Sequence, residues 1–216
     1  MKHVYLEKKL TLNLRPELNW LDQPEEFWRE LTATAGVRIL KHARGVGVRA
    51  FLLAESSLLV WQRRLILMTC GSGEPLRLLP YLERRFGPDA IEASIFENPE
   101  FDPDLKLRRE TLGISDKAEE WSKTRKTVLL DFSLRYLSAE LKNLLPRKVE
   151  IFQDHDFEPV GYSCNACDGE SFFTLHFSPD EASSCLSFES RGFDQAHEAI
   201  LQRSLQLLHP QRVFHP

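Results

Sequence analysis

At 216 residues, with 42% hydrophobic and 28% charged side chains, the chain is long enough to bury its own core and ordinary in composition for a globular protein. A formal net charge of −4 supplies no general pull toward nucleic acid or an anionic membrane, and no apolar run approaches the ~20 residues of a membrane span. The first residues carry no apolar signal core, which predicts a cytosolic protein whose cysteines (70, 164, 167 and 185) stay reduced.

In chain order, Val4, Leu6, Leu10, Leu12 and Leu14 alternate with polar residues and predict a half-buried strand over 2–14. Asp22, Pro24, Glu25 and Glu26 open a helix with Asp22 as N-cap; Phe27, Trp28 and Leu31 give it an apolar stripe, and Gly36 ends it. A strand over 37–43 and a turn over 44–47 follow, then one long strand over 49–60. A polar turn at Gln62, Arg63 and Arg64 returns the chain along an apolar strand that ends at Cys70. Centring that turn on Arg63 sets Trp61 opposite Leu65 and Ser56 opposite Cys70, provided no bulge intervenes.

After Gly71 and Pro75, the residues Leu76, Leu79, Leu82 and Phe86 fall at helical spacing, with Pro80 as a kink and Gly87-Pro88 as the stop. A short strand over 90–96 leads into residues 97–124, which are dense in charge and weak in periodicity and read as a long surface loop. Residues 127–132 read as a strand, 136–145 as a helix and 148–152 as a strand. A second hairpin turns at Asp168-Gly169-Glu170. With Gly169-Glu170 as its loop, Ser163 faces His176; Tyr162, Cys164, Phe173, Leu175 and Phe177 form an apolar face, and Ser163, Asn165, Thr174 and His176 a polar one. A strand over 185–189 and an amphipathic helix over 193–208 close the chain. This is an α+β pattern, and its hairpin-then-helix order, found at 50–86 and again at 157–208, hints at an internal duplication.

The feature that resists a plain structural reading is Glu55-Ser56-Ser57, a polar triplet inside a run apolar on both faces. Burying a carboxylate and two hydroxyls there costs several kcal/mol unless they are satisfied or used. Cys164 and Cys167 have the spacing of half a zinc site, but no second pair follows, so no metal is expected; no helix starts there to activate a thiol. Arg63-Arg64 reads as a solvated turn, and Gly45-Val46-Gly47 lacks the surroundings of a phosphate loop.

Taken together, Leu53-Ala54-Glu55-Ser56-Ser57-Leu58, Arg63-Arg64 with Thr69-Cys70-Gly71, Gly161-Tyr162-Ser163, Thr174 to His176 with Pro179-Asp180, and Ser187-Phe188-Glu189 resemble the S-adenosylmethionine decarboxylase proenzymes of the eukaryotic-like, pyruvoyl-dependent type. The resemblance spans residues 50–96 and 125–205. It implies a four-layer α/β/β/α sandwich of two antiparallel sheets, a single domain over 1–216, and self-cleavage between Glu55 and Ser56 into chains 1–55 and 56–216. Ser56 would become the pyruvoyl cofactor, which takes a substrate amine as a Schiff base and acts as electron sink while CO₂ leaves. Ser163 and His176 would assist processing, His176 as the base for elimination, and Cys70 would be the proton donor in decarboxylation.

The resemblance further implies S-adenosylmethionine as substrate, with Phe157 and Tyr5 or Leu6 about the adenine and Asp180 on the ribose. It implies an acidic site for putrescine, to which Asp131 and Glu189 correspond; Met68 stands where that site expects a lysine, which argues against activation by putrescine. A homodimer is what the family suggests. Two other readings remain: a relative that decarboxylates arginine or ornithine, and an unprocessed regulatory subunit of an active paralogue.

Overall fold

Alternating apolar residues build strands that are buried on both faces, and the chain stacks them as two sheets between helices. The computed structural model describes residues 7–15, 17–54, 56–99, 107–112, 124–132, 137–179 and 184–214. The first sheet holds β1 (Lys8–Leu14), β2 (Ile39–Arg44), β3 (Val48–Leu53), β4 (Ser56–Trp61), β5 (Arg64–Thr69), β6 (Ile91–Pro99) and β7 (Leu107–Leu112), in the order β2-β3-β4-β5-β1-β6-β7. The second holds β8 (Lys126–Phe132), β9 (Ile151–Asp156), β10 (Tyr162–Asp168), β11 (Ser171–Ser178), β12 (Ser184–Arg191) and β13 (Arg212–Phe214), in the order β13-β8-β12-β11-β10-β9. All pairings in both sheets are antiparallel.

The period-2 alternation of strands sorts each sheet's side chains into two layers. Leu10, Leu12, Leu14, Phe51, Leu53, Leu58, Val60, Leu65 and Leu67 pack outward against α1 (Glu25–Thr34) and α2 (Leu78–Phe86) through Phe27, Trp28, Leu31, Leu78 and Leu82. Tyr162, Cys164, Phe173, Leu175 and Phe177 pack outward against α3 (Ala139–Asn143) and α4 (Asp194–Leu208) through Leu141, Ile200 and Leu208. Between the sheets, Val48, Ala50, Leu59, Trp61, Ile66 and Met68 meet Ile151, Cys167 and Phe172. The architecture is therefore the expected α/β/β/α sandwich. The duplication is present in the topology: β1-α1-β2-β3-β4-β5-α2-β6 and β8-α3-β9-β10-β11-β12-α4-β13 follow one another in the same order and lay their strands in the same order across each sheet.

Several expectations need correction. The run over 49–60 is not one strand; β3 and β4 pair with Leu53 opposite Ser56, so the chain reverses at the polar triplet. An apolar run cannot reveal such a reversal when both strands are buried on both faces. The next hairpin has a two-residue turn, Gln62-Arg63, which sets Trp61 opposite Arg64 and Ser56 opposite Thr69 rather than Cys70. Asp22 does not cap α1; it closes a 3-10 turn, Trp20–Asp22, and pairs with Arg44, while Pro24 takes the N-cap position. Pro80 is the third residue of α2, where its missing N–H has no intrahelical partner to lose. The stretch over 97–124 contains the rest of β6 and all of β7, and β13 follows the last helix.

Candidate active site

Ser56 heads β4, only 1% exposed, and its Oγ accepts the Cys70 N–H at 3.3 Å. Ser56 and Cys70 thus meet through the residue that follows β5, although their Cα atoms are not paired. Alternation sends Ser56 toward the same side of the sheet as Leu58 and Val60, and Ser57 toward the layer between the sheets with Leu59 and Trp61.

It is Ser57 that reaches the second hairpin. Its Oγ lies 3.1 Å from His176 Nε2 and 2.5 Å from Asn165 Oδ1. On the far side of the ring, His176 Nδ1 lies 3.0 Å from Ser163 Oγ. The loop Gly169-Glu170 sets Ser163 opposite His176, as the sequence predicts. Asn165 Nδ2 approaches Gln153 Oε1 at 3.5 Å. Burial pushes the His176 pKa down to about 4, against the pull of Glu189, so the imidazole is neutral at pH 7.

Glu7, just before β1, joins this group. Its carboxylate accepts a 2.9 Å bond from Ser187 Oγ and lies 4.0 Å from His176 Nε2. Burial, reinforced by Glu189, raises its pKa from 4.5 to about 7.

Next to it sits a buried ionic cluster that ties the two sheets together. Lys9 Nζ lies 2.5 Å from Glu189 and 3.1 Å from Glu97; Arg125 lies 3.0 Å from Glu189 and 3.1 Å from Glu97. Thr127 Oγ1 donates to Glu189 at 3.2 Å. Burial works to raise both carboxyls, but Lys9 and Arg125 hold Glu97 at about 2 and Glu189 below its usual range. Lys9 is the Cα partner of Met68, so a lysine from β1 stands beside the position where the resemblance expects one on β5. In the backbone register the partner of Glu189 on β8 is Thr127, and Asp131 pairs with Cys185, four residues and roughly 13 Å along the strand. The side chain of Asp131 lies outside the described residues, as do Glu55, Asp180, Tyr5 and Leu6.

Phe157 follows β9 half-buried, its ring edge-on to His155 at 4.6 Å, and His155 pairs with Ser163. Cys164 packs toward the helices and Cys167 between the sheets, so this pair does not converge on one ligand. Burial raises both thiols, Cys167 to about 12, which leaves neither ready as a thiolate at neutral pH.

The sequence set Asn165 on the polar face of Ser163 and His176 and Ser57 in the polar triplet but assigned neither a role, and sequence reasoning missed Glu7, Lys9, Glu97 and Arg125. The alternation in β1 made Lys9, Thr11 and Asn13 read as solvent-facing; in a two-sheet sandwich that face is the inner one, and all three are buried. The signal was there in principle, because flanking strands apolar on both faces leave no room for a solvated edge.

The description "Adenosylmethionine decarboxylase" belongs to the family whose model matches residues 5–96 and 114–215. A Spinacia oleracea protein named S-adenosylmethionine decarboxylase proenzyme is 22% identical over 76% of this chain and 61% of its own length; a Pisum sativum protein of the same name is 24% identical over 76% and 63%. The chain thus spans 61–63% of the length of these relatives. The crystal structure of a Trypanosoma brucei AdoMetDC monomer superposes with a TM-score of 0.49 at 18% identity, covering 72% of this chain and 77% of that one. Because the family match runs through both halves and takes in Ser56, Cys70, Ser163, His176 and Glu189, the chain belongs to the adenosylmethionine decarboxylase family.

Proposed function

We propose that this protein cuts its own chain between Glu55 and Ser56, converts Ser56 into a pyruvoyl group and decarboxylates S-adenosylmethionine, the reaction that supplies the aminopropyl donor of spermidine synthesis. The observation that carries the reading is a serine at a chain reversal, with its hydroxyl held by Cys70 N–H and its neighbour Ser57 joined to the buried Ser163–His176 pair.

In processing, Ser56 Oγ adds to the Glu55 carbonyl, the C–N bond breaks, and the hydroxyl proton passes to the freed amine, leaving an ester. Removal of the Ser56 α-proton expels the Glu55 carboxylate, and water then releases the nitrogen as ammonia. A neutral, buried His176 is suited to take that proton at pH 7. The fold suits a chain that is cut and stays together: β3 and β5 clamp β4 on both sides, and β1, from the residue 1–55 piece, lies between β5 and β6. Cleavage therefore leaves the two pieces interlaced in one sheet.

Once formed, the pyruvoyl ketone supplies the electron sink for decarboxylation. Cys70 adjoins the position it would occupy and is the proton donor in this account. Phe157 offers a half-exposed ring for the adenine, and Asp180, Tyr5 and Leu6 complete the proposed substrate contacts. Lys9 and Arg125 already neutralise Glu97 and Glu189, so the protein runs without a diamine activator.

The test is release of CO₂ from carboxyl-labelled S-adenosylmethionine, arginine and ornithine. Release from S-adenosylmethionine, lost in Ser56→Ala and unchanged by added putrescine, is expected. Release from arginine or ornithine alone would reject the substrate, and no release from any of them by correctly folded protein would reject the activity.

A further inference from the structure

The hydrogen-bond chain around His176 has a direction. Asn165 presents Oδ1 to Ser57 and Nδ2 to Gln153 Oε1. A carbonyl oxygen only accepts, so the single Ser57 hydroxyl proton goes to Asn165. Ser57 Oγ is then left to accept at its 3.1 Å contact with His176, which puts the imidazole proton on Nε2. The nearby Glu7 carboxylate, 4.0 Å from the same nitrogen, favours a proton there too. Nδ1 must then be bare, and at 3.0 Å it accepts the Ser163 hydroxyl proton. A low His176 pKa keeps the ring neutral, so it has a definite tautomer to fix.

We propose that Asn165, backed by Gln153, is a positioning residue that fixes His176 as its Nε2–H tautomer and turns the basic nitrogen toward Ser163. The consequence for self-cleavage rests on the function proposed above; the tautomer itself does not. Under that function, Ser163 is the hydroxyl His176 polarises in the resting protein, and His176 can take a proton through Nε2 only after the whole chain from Ser163 to Gln153 reverses. Reversal requires both amide groups to turn over inside a site that is fully or nearly fully buried: Asn165 is 0% exposed and Gln153 6%. Asn165 therefore acts through Ser57 and His176 without touching the reacting atoms.

The experiment reads the tautomer in uncut protein, so that it does not depend on cleavage. Ser56→Ala protein labelled with ¹⁵N-histidine is examined by two-bond ¹H–¹⁵N correlation of the imidazole rings. The signal of His176, one of seven histidines, is identified by its loss in His176→Gln. The expected pattern is a proton on Nε2 and a bare Nδ1. Adding Asn165→Leu removes the acceptor, frees the Ser57 hydroxyl to donate to Nε2 and moves the proton to Nδ1; Asn165→Asp keeps the acceptor and keeps Nε2–H. In otherwise wild-type protein, Asn165→Leu is expected to slow self-cleavage on the order of 100-fold, the scale of a misdirected base, while Asn165→Asp restores most of the rate. A proton on Nδ1 in the Ser56→Ala protein overturns the proposal, as does a folded Asn165→Leu protein that keeps Nε2–H. Where Asn165→Leu fails to fold, Asn165→Asp and the first reading still test the proposal, and a proton on Nδ1 in either protein overturns it.

Discussion

The layer between the two sheets has two ends, built by the same strands and governed by different physics. At one end Val48, Ala50, Leu59, Trp61, Ile66, Cys167 and Phe172 interlock, and Trp61 Nε1 donates to Gly169 O at 2.9 Å. Two to four residues away along β4, β10 and β11, Ser57, Asn165, Ser163 and His176 occupy the same layer and are just as buried. Burial at the first end is favourable in itself, at about 25 cal/mol per Å² of apolar surface. At the second it costs several kcal/mol for each unsatisfied group, and the cost is offset because each side chain from Ser163 to Gln153 has a hydrogen-bond partner in the next. One end fixes the distance between the sheets, and the other uses that fixed distance to hold hydroxyls, an amide and an imidazole in a dry site.

Substitutions at the two ends should separate these roles. The largest effect is expected from Ser56→Ala, which abolishes self-cleavage while removing one hydrogen bond worth about 1 kcal/mol; a gel with intact chain and a nearly unchanged urea midpoint is the outcome. Lys9→Met leaves Glu97 and Glu189 to share Arg125, and the stability loss expected for breaking a buried ionic cluster is about 3–5 kcal/mol, measured by urea denaturation. A loss below 1 kcal/mol would mean that the cluster is dispensable and that the polar end is held by packing alone.

Glu7→Gln tests the pH dependence of the polar end. With a folded pKa of about 7 against 4.5 unfolded, folded Glu7 binds more protons than unfolded Glu7 in that window. Stability therefore falls as pH rises from 4.5 through 7, by up to about 3 kcal/mol. The wild-type minus Glu7→Gln difference in unfolding free energy should decline over that range and be flat below it. The smallest effect belongs to the apolar end: Ile66→Val should cost about 1 kcal/mol and leave the cleavage rate unchanged. A slowed cleavage there would show that packing at one end controls chemistry at the other.

The polar and apolar faces of β10 and β11 were legible from alternation alone, and with them the Ser163–His176 pairing, because a Gly-containing two-residue loop fixes register. The same reasoning misjudged the first hairpins. β3 and β4 are apolar on both faces, so the reversal between Leu53 and Ser56 left only the polarity of its sequence as a trace, and a one-residue error in the Gln62-Arg63 turn exchanged Thr69 for Cys70 opposite Ser56. Nor could spacing find the ionic cluster. Lys9, Glu97, Arg125 and Glu189 are far apart in the chain and meet only because β1 inserts between β5 and β6 and the sheets stack. Their charges look like ordinary surface residues until both faces of each sheet are known to be covered.

The pyruvoyl group can form only if the bond between Glu55 and Ser56 breaks. The intact mass of the purified protein under denaturing conditions tests this directly. Two chains parted between Glu55 and Ser56, the larger lighter by one ammonia than its serine-headed sequence, are the expected result; a single chain of 25.0 kDa in correctly folded protein would contradict it.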